Sequence, residues 1–313
     1  MKALPFRYFL YLRSMKHVAW IGFVVAMLMA ACSSFPSASG PLGSTDPKLA
    51  SIDSLLWNQP DSAFAQLQAF AESHEVDSLD TFNRHYFQLL LSELLYKNYC
   101  EQTNRNELLR AVDYYDSLMV AGGNRVHPDL AFLDARAHYI DGVGYYEMDS
   151  VVPACEQYLE AVEIMEDRFS EEELVGKKAQ LMAMANTRLT TLFSNQYLHE
   201  QAIHYGKQSL CYYKRYEATP WHVSWVLSEI GLHYDMIEQL DSADYYYQEA
   251  LKVLPDTNCL NYRDVNAAQF YLSYRLGNPP SLSLKQLQNL LSRAENSKER
   301  ISRYLSIGAL LSR

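Results

Sequence analysis

The sequence has no basic stretch of the kind that binds a phosphate backbone. Its 313 residues include 27 lysines and arginines against 37 aspartates and glutamates, which gives a formal charge of −10 at neutral pH. Affinity for DNA or RNA depends on clustered cations that displace counterions from the backbone. We therefore expect no nucleic-acid partner.

Glycine and proline are also scarce, at 12 and 11 residues. Both interrupt regular structure, so their scarcity indicates regular elements over most of the chain. The composition, 49% hydrophobic and 20% charged, is typical of a folded protein and not of a disordered one. The 24 tyrosines favour many packed helices with aromatic rings at their contacts.

The sequence lacks the common motifs for catalysis and metal binding. The five cysteines form no C-x-x-C pair, the nine histidines form no H-x-x-x-H pair, and there is no glycine-rich phosphate loop or nucleophile elbow. We predict that the protein is not an enzyme and holds no metal or cofactor; a hydrolase with paired carboxylates stays open. Cys155 and Cys211 are expected to be small core residues of second helices, and a disulfide is the alternative.

No apolar run is long enough to cross a membrane. Residues 18–31 follow four basic residues and would span about 21 Å as a helix, whereas a bilayer core is about 30 Å thick. A basic start, a short apolar run and small residues before a cleavage site are typical of an export signal. We predict a signal peptide over 1–31, with Met15 as an alternative start. Its removal would lower the formal charge by four, from −10 to −14.

The apolar run ends in Leu28–Cys32, which resembles the lipobox of bacterial lipoproteins. The resemblance implies cleavage before Cys32 and a covalent lipid, such as palmitate, on its sulfur. Residues 32–47 are rich in serine, glycine and proline and predict a flexible tether. Ser33, in place of an acidic residue, favours an anchor in the outer membrane, on its periplasmic face. The alternative is an ordinary signal peptide beside a free cysteine.

The rest of the chain repeats itself, most clearly over 224–257. The repeated positions of this unit are Leu227, Ile230, Gly231, Tyr234, Ala243, Tyr247, Ala250 and Pro255. They follow the pattern of the tetratricopeptide repeat (TPR), a pair of antiparallel helices. Gly231 and Ala243 are expected where the two helices approach most closely.

Other parts of the chain repeat the same pattern less completely. Units start at 135 and at 183, and Ala111 resembles the small residue near the start of a second helix. Residues 263–276 and 284–293 predict one more pair, and 300–313 predicts a first helix without a partner. We count about six helix pairs from residue 48 onwards.

This pattern resembles the TPR lipoproteins of bacterial cell envelopes over 48–313. The resemblance implies an all-α fold, a right-handed superhelical solenoid of antiparallel helix pairs. In that family, certain first-helix positions face a concave surface that binds peptides. Carried over to this sequence, the groove residues are Arg136, Tyr139, Tyr146, Met184, Asn195, Trp225, Leu232 and Asp235.

Two features limit what this groove implies. The family's clamp for chaperone tails needs several lysines and asparagines, and only Arg136 and Asn195 come near it. Tyr139 and Trp225 have an alternative role, which is packing against neighbouring repeats.

The resemblance favours a membrane-anchored scaffold that binds a peptide or protein partner in the concave groove. One alternative is an assembly factor for outer-membrane proteins. Another is the truncated sensor half of an envelope signalling regulator. A third is a lipoprotein whose aromatic residues stack on sugars.

Overall fold

The computed structural model describes residues 45–73, 75–101, 103–123, 128–216, 218–256 and 259–277, which belong to one unit, Ser44–Arg313. These residues form eleven α-helices and one short 3₁₀ helix, Glu75–Ser78, and none of them lies in a β-strand. The α-helices are α1 (Pro47–Leu55), α2 (Pro60–Glu72), α3 (Thr81–Lys97), α4 (Arg105–Gly122), α5 (Pro128–Glu147), α6 (Val151–Arg168), α7 (Lys177–Asn195), α8 (His199–Tyr213), α9 (Pro220–Met236), α10 (Leu240–Val253) and α11 (Leu260–Arg275). The predicted all-α fold is confirmed.

The described helices make five antiparallel pairs, from α1 and α2 to α9 and α10, and α11 is a further first helix. Its predicted partner over 284–293, the predicted helix over 300–313 and the predicted signal, lipid site and most of the tether lie outside the described residues. Among the described helices, none is both long enough and apolar enough to cross a membrane.

Proline and aspartate begin several of these helices. Pro47 opens α1 and Pro220 opens α9, where the missing N–H of proline has no helical partner to lose. Asp46 and Asp80 precede α1 and α3, and each side chain accepts hydrogen bonds from backbone N–H groups of the first turn.

In four pairs the first helix is followed by the same left-handed residue, although the connection from α3 to α4 is longer than the other three. In each, one residue lies in the left-handed region, with φ of 55°, 54°, 57° and 60° at Tyr99, Asp149, Tyr197 and Glu238. Each of the last three lies the same number of residues after the predicted start of its unit, at 135, 183 or 224. The same spacing counted back from Tyr99 gives a further unit start at residue 85. This conformation costs a non-glycine residue about 1–2 kcal/mol, so its repetition indicates that the pair geometry requires it.

The unit at 85 supplies the first helix for the second helix predicted around Ala111. Ala111 is buried in α4, so that prediction is confirmed, and α4 begins at Arg105, directly after Asn104. Asn104 donates from Nδ2 to Ser92 Oγ at 2.8 Å. A polar contact thus joins the two helices here, and a search for small residues misses it.

Close packing within a pair depends on a glycine that faces a tyrosine ring. A Cβ atom at Gly142 would lie 2.7 Å from Tyr158 Cε1, and one at Gly231 would lie 2.9 Å from Tyr247 Cδ1. Real Cβ atoms do not approach this closely, so both positions need glycine. The close approach predicted at Gly231 is confirmed, with Tyr247 and not Ala243 as the near neighbour.

The first helices of successive pairs form an inner row. Contacts join α1 to α3, α3 to α5, α5 to α7 and α9 to α11. Each second helix from α2 to α10 packs against the helix before it and the helix after it. This is the arrangement of a TPR-like solenoid, and the inner row carries the residues of the predicted groove.

Candidate functional site

Helix α1 reaches across the inner row, where its Asp53 contacts three other first helices. Tyr86 of α3 donates from its hydroxyl to Asp53 Oδ2 at 2.8 Å. Arg136 of α5 donates to both carboxylate oxygens, from Nη2 at 2.9 Å and from Nη1 at 3.1 Å. Lys177 of α7 donates from Nζ to the backbone carbonyl of Asp53 at 3.2 Å. One residue of α1 therefore links α3, α5 and α7.

A second carboxylate completes the surroundings of the Arg136 guanidinium. Glu93 of α3 accepts from Arg136 Nε at 2.9 Å and from Nη2 at 2.5 Å. Burial alone would raise the pKa of Asp53, but the charge and hydrogen bonds of Arg136 hold it below its ordinary value. The guanidinium fork is fully occupied by carboxylates of the same chain.

Arg136 and Tyr139 are therefore not accessible to a partner, although both were predicted to line the groove. Their exposed fractions are 2% and 3%. Arg136 is enclosed by Asp53 and Glu93. Tyr139 packs against the Tyr158 ring, with centroids 5.7 Å apart. For Tyr139 the packing alternative describes what the structure contains.

Arg188 of α7 is a second guanidinium on the inner row, and its surroundings differ. It donates to the Tyr96 hydroxyl of α3, and its charge opposes the rise that burial causes in the pKa of Tyr139 of α5. The rings of Tyr96 and Tyr146 lie 5.7 and 5.5 Å from its Cζ, within the range of cation–π contacts. No carboxylate of the described residues forms an ion pair with Arg188.

Lys97, beside Tyr96 in the sequence, is another cation on this surface. Its Nζ lies 3.6 Å from the centroid of the Trp57 ring, in the turn after α1, and among the described residues it forms no ion pair. Burial lowers the pKa of Lys97 to about 8, although the charge of Glu93 acts in the opposite direction. After burial, the charge of Lys97 is the next cause that lowers the pKa of His222 in α9. Arg188 and Lys97 are thus two cations of the first helices that form no ion pair among the described residues, in a chain of net charge −10.

The other predicted groove residues keep some exposure to solvent. They are Tyr146, Met184, Asn195, Trp225, Leu232 and Asp235. Asn195 and Leu232 are exposed, whereas Asp235 forms an ion pair with Arg275 of α11. Their role in binding a partner stays a prediction. Arg188 and Lys97 are absent from the predicted set, because neither occupies a repeat position that is assigned to the groove.

One group of side chains has the composition of a metal site. Atoms of Asp116, Asp134 and His138 lie within 4.8 Å of one another. His138 Nε2 is 3.1 Å from Asp116 Oδ1, and its Nδ1 is 2.6 Å from Gln157 Oε1. Burial alone would lower the pKa of His138, but the two aspartates and Gln157 raise it to about 9. Protonated His138 already offsets the charge of one of the two carboxylates, and a metal ion would have to displace that proton.

The four cysteines of the described residues are all free thiols. Cys155 is buried in α6, as predicted, and burial raises the pKa of its thiol to about 12. Cys211 is exposed on α8, so the prediction of a core position is wrong there. The open question of a disulfide receives no support from these four residues.

The sequence matches no protein-family model and no curated protein. The structure is similar to that of BtubC (BKLC) from P. vanneervenii, with 16% sequence identity and a TM-score of 0.42 over 74% of this chain and 81% of that one. It is also similar to a chain of the APC/C hetero-tetramer Cut9–Hcn1, with 14% identity and a TM-score of 0.43 over 84% and 52%. A third is the apo form of the quorum sensor NprR from B. thuringiensis, with 14% identity and a TM-score of 0.40 over 85% and 81%. The fold assignment rests on the geometry described above.

Proposed function

We propose that the protein is a lipid-anchored scaffold that binds a segment of a partner protein along the inner surface of α7, α9 and α11. The proposal rests on a change of exposure along the inner row. At the fourth of the repeat positions that face inward, every first helix from α3 to α9 carries a half-buried residue, so the change concerns the first three positions. There α3 and α5 carry buried residues: Tyr86, Leu89, Glu93, Arg136, Tyr139 and Val143. At the same positions, α7, α9 and α11 carry half-buried or exposed residues: Met184, Thr187, Thr191, Trp225, Ser228, Leu232 and Tyr271.

The open part of the row combines apolar side chains with hydroxyl groups. Leu232 and Tyr271 are 39% and 40% exposed, and Trp225 is half-buried beside them in the row. Thr191 and Ser228 donate their hydroxyl protons to carbonyl oxygens of their own helices, at 3.1 and 2.7 Å. Their oxygens can therefore accept from N–H groups of a bound chain. Aromatic anchors among neutral polar groups are typical of protein interfaces.

The membrane anchor is part of the same proposal. A lipid on Cys32 and a tether over 32–47 would hold the solenoid near the periplasmic face of the outer membrane, and the protein would act by binding and not by catalysis. Labelling with radioactive palmitate tests the anchor. We expect label on the full chain and none on a Cys32→Ser variant, and label on both would contradict a lipid at this cysteine.

Site-directed photocrosslinking in the native envelope tests the binding surface. A photoreactive residue at 191, 225 or 232 should link to one partner, because these positions lie on the open inner surface. The same residue at Asp113 of α4 or Gln208 of α8, both exposed on second helices, is the matched control. Equal crosslinking at the control positions, or none at the inner ones, would contradict the proposal.

The identity of the crosslinked partner also separates the two main alternatives. An outer-membrane β-barrel as the main product would favour the assembly factor. A membrane-bound signalling protein would favour a sensory role.

A further inference from the structure

We infer that Asp116, Asp134 and His138 form a binding site for one divalent transition-metal ion, and that zinc is the ion it takes. The three side chains belong to two neighbouring helices, α4 and α5, and their ligand atoms lie within 4.8 Å of one another. The inner surface of α7, α9 and α11 does not include these residues, so the inference goes beyond the proposed function. It also departs from the expectation, based on sequence motifs, that the protein holds no metal.

The distances between the ligand atoms suit a single ion. His138 Nε2 is 3.1 Å from Asp116 Oδ1 and 3.8 Å from Asp134 Oδ1. Zinc binds nitrogen and carboxylate oxygen at about 2.0–2.2 Å, so two ligands of a tetrahedral zinc ion lie about 3.3–3.6 Å apart. Asp134 and His138 are one turn apart on α5, which places both side chains on one face of the helix. Only small side-chain rotations are needed to bring the three atoms around one ion.

The buried oxygen of Asp134 is an independent indication of a cation. The side chain is 2% exposed, and its Oδ1 accepts no hydrogen bond from any residue that the structure describes. Buried carboxylate oxygens are normally hydrogen-bonded or bound to a metal, because the loss of their hydration is costly. This oxygen faces His138 Nε2 at 3.8 Å, which is beyond hydrogen-bond distance. A zinc ion between the two atoms would bind both.

Gln157 of α6 orients the imidazole for metal binding. Its Oε1 lies 2.6 Å from His138 Nδ1, so it accepts the Nδ1 proton and leaves Nε2 directed at Asp116. Histidines that bind a metal usually donate the N–H of their other ring nitrogen to an oxygen in this way, which fixes the tautomer and the ring orientation. Gln157 is therefore a positioning residue of the site and not a ligand.

The surroundings favour a divalent cation with affinity for nitrogen. Two carboxylates lie beside one imidazole, and Glu160 of α6 adds negative charge near Asp134, which Arg168 offsets. Mg²⁺ and Ca²⁺ prefer sites made of oxygen alone, whereas imidazole together with carboxylates suits zinc. The Asp116 side chain is 50% exposed, so an ion can enter from solvent and water can complete its coordination.

The competing occupant of the site is a proton. In the metal-free protein the protonated ring of His138 pairs with Asp116, and zinc has to displace that proton. Binding of one zinc ion should therefore release about one proton, whereas zinc on a surface carboxylate releases none. Titration calorimetry in buffers of different ionisation enthalpy measures this release, which should disappear in Asp134→Asn.

Equilibrium dialysis of the purified full chain against Zn²⁺, after treatment with EDTA, tests the site directly. We expect Asp134→Asn to lose one bound zinc per chain and Asp116→Asn to bind that zinc more than about tenfold more weakly. Asp113→Asn, an exposed change on α4, is the matched control and should bind zinc like wild type. Zinc held by cysteines or by the neighbouring rings of His199 and His233 is unaffected by these changes, so the difference measures the proposed site alone.

A fourth variant tests the orientation of the ring. Gln157→Met keeps the three ligands and the length of the side chain but removes the acceptor for His138, and it should weaken zinc binding about tenfold. Melting curves of the metal-free variants identify any that fails to fold. Asp116→Asn then remains as the test, because it changes a side chain that is half open to solvent.

Three results would overturn the inference. The first is equal zinc binding by wild type, Asp116→Asn and Asp134→Asn, or no bound zinc in the wild type. The second is tighter binding of Mg²⁺ or Ca²⁺ than of Zn²⁺, which would exclude a site for a transition metal. The third is zinc binding without proton release, which would exclude His138 as a ligand. The crosslinks expected at 191, 225 and 232 are independent of all three, because those positions lie on other helices.

Discussion

The two ends of the inner row use the same repeat positions in opposite ways. In α3 and α5 these positions hold a closed network, in which Arg136 lies between Asp53 and Glu93. In α7 and α9 they hold Thr191 and Trp225, which remain partly open to solvent. The first helices end in the same way in both parts, since the left-handed residues that follow them have φ values within a few degrees of each other.

The difference teaches that a repeat position determines direction and not accessibility. Arg136 and Trp225 occupy equivalent positions, yet the exposed fraction of Arg136 is 2% and Trp225 is half-buried. What separates them is α1, whose Asp53 reaches α3, α5 and α7 but makes no described contact with α9. One short helix thus separates a closed part of the row from the part for which we propose partner binding.

The largest expected effect comes from breaking the closed part at its centre. Arg136→Ala would leave Asp53 and Glu93 buried without their cation, and removing one partner of a buried pair costs about 3–5 kcal/mol of unfolding free energy. Arg110→Ala removes an exposed pair, which is worth less than about 1 kcal/mol. Thermal and urea unfolding of both variants measures the difference. Similar losses for the two would mean that the Arg136 network contributes little to stability.

A smaller effect is expected when α1 alone loses its acid. Asp53→Asn keeps an acceptor for Tyr86 but removes the charge that Arg136 and Lys177 share, which should cost about 1.5–3 kcal/mol locally. Hydrogen exchange should become faster in α1, while α9 and α10 stay unchanged. Asp113→Asn, an exposed change on α4, is the control. Faster exchange in α9 with α1 unchanged would contradict the division of the row.

The fold was predictable because its signals are local. The glycine at 231 and the tyrosine at 247 stand within one unit, and their fixed spacing identifies the helix pair that brings them together. The start of the unit at 85 was missed because Ser92 and Asn104 replace small apolar residues with a polar contact that composition does not reveal.

The site was less predictable because its contacts join distant units. Asp53 and Arg136 are 83 residues apart, and Tyr96 and Arg188 are 92 residues apart. Repeat spacing places Arg136 on the inner face correctly, but only the position of α1 shows that it is covered. Arg188 was missed because its contact with Tyr96 joins α7 to α3, two units away, and the repeat pattern relates only positions within one unit.

The smallest expected effect is a pH response that differs between the two parts. His138 of α5 contacts α4 and α6 through Asp116 and Gln157. Burial alone would lower its pKa from the ordinary 6.5, but Asp116 and Asp134 raise it to about 9. Its contribution to stability is therefore complete below pH 6.5 and is lost as the pH rises through 9. His233 of α9 has its pKa lowered to about 4 by burial and by His199, whose Nδ1 lies 3.0 Å away. Its contribution is complete above pH 6.5 and is lost as the pH falls through 4.

Replacing each histidine by asparagine isolates the two responses from all other titrating groups. The melting temperature of His138→Asn should lie a few degrees below that of wild type at pH 6, and the gap should close towards pH 10. The gap for His233→Asn should be widest at neutral pH and close towards pH 4. Because the imidazole of His138 is an ion-pair partner and that of His233 is a neutral buried ring, the two curves must slope in opposite directions. If the two gaps in melting temperature changed with pH in the same direction, either His138 would be neutral or His233 would be protonated in the folded protein. The closed and open parts would then not differ in the charge of their buried histidines.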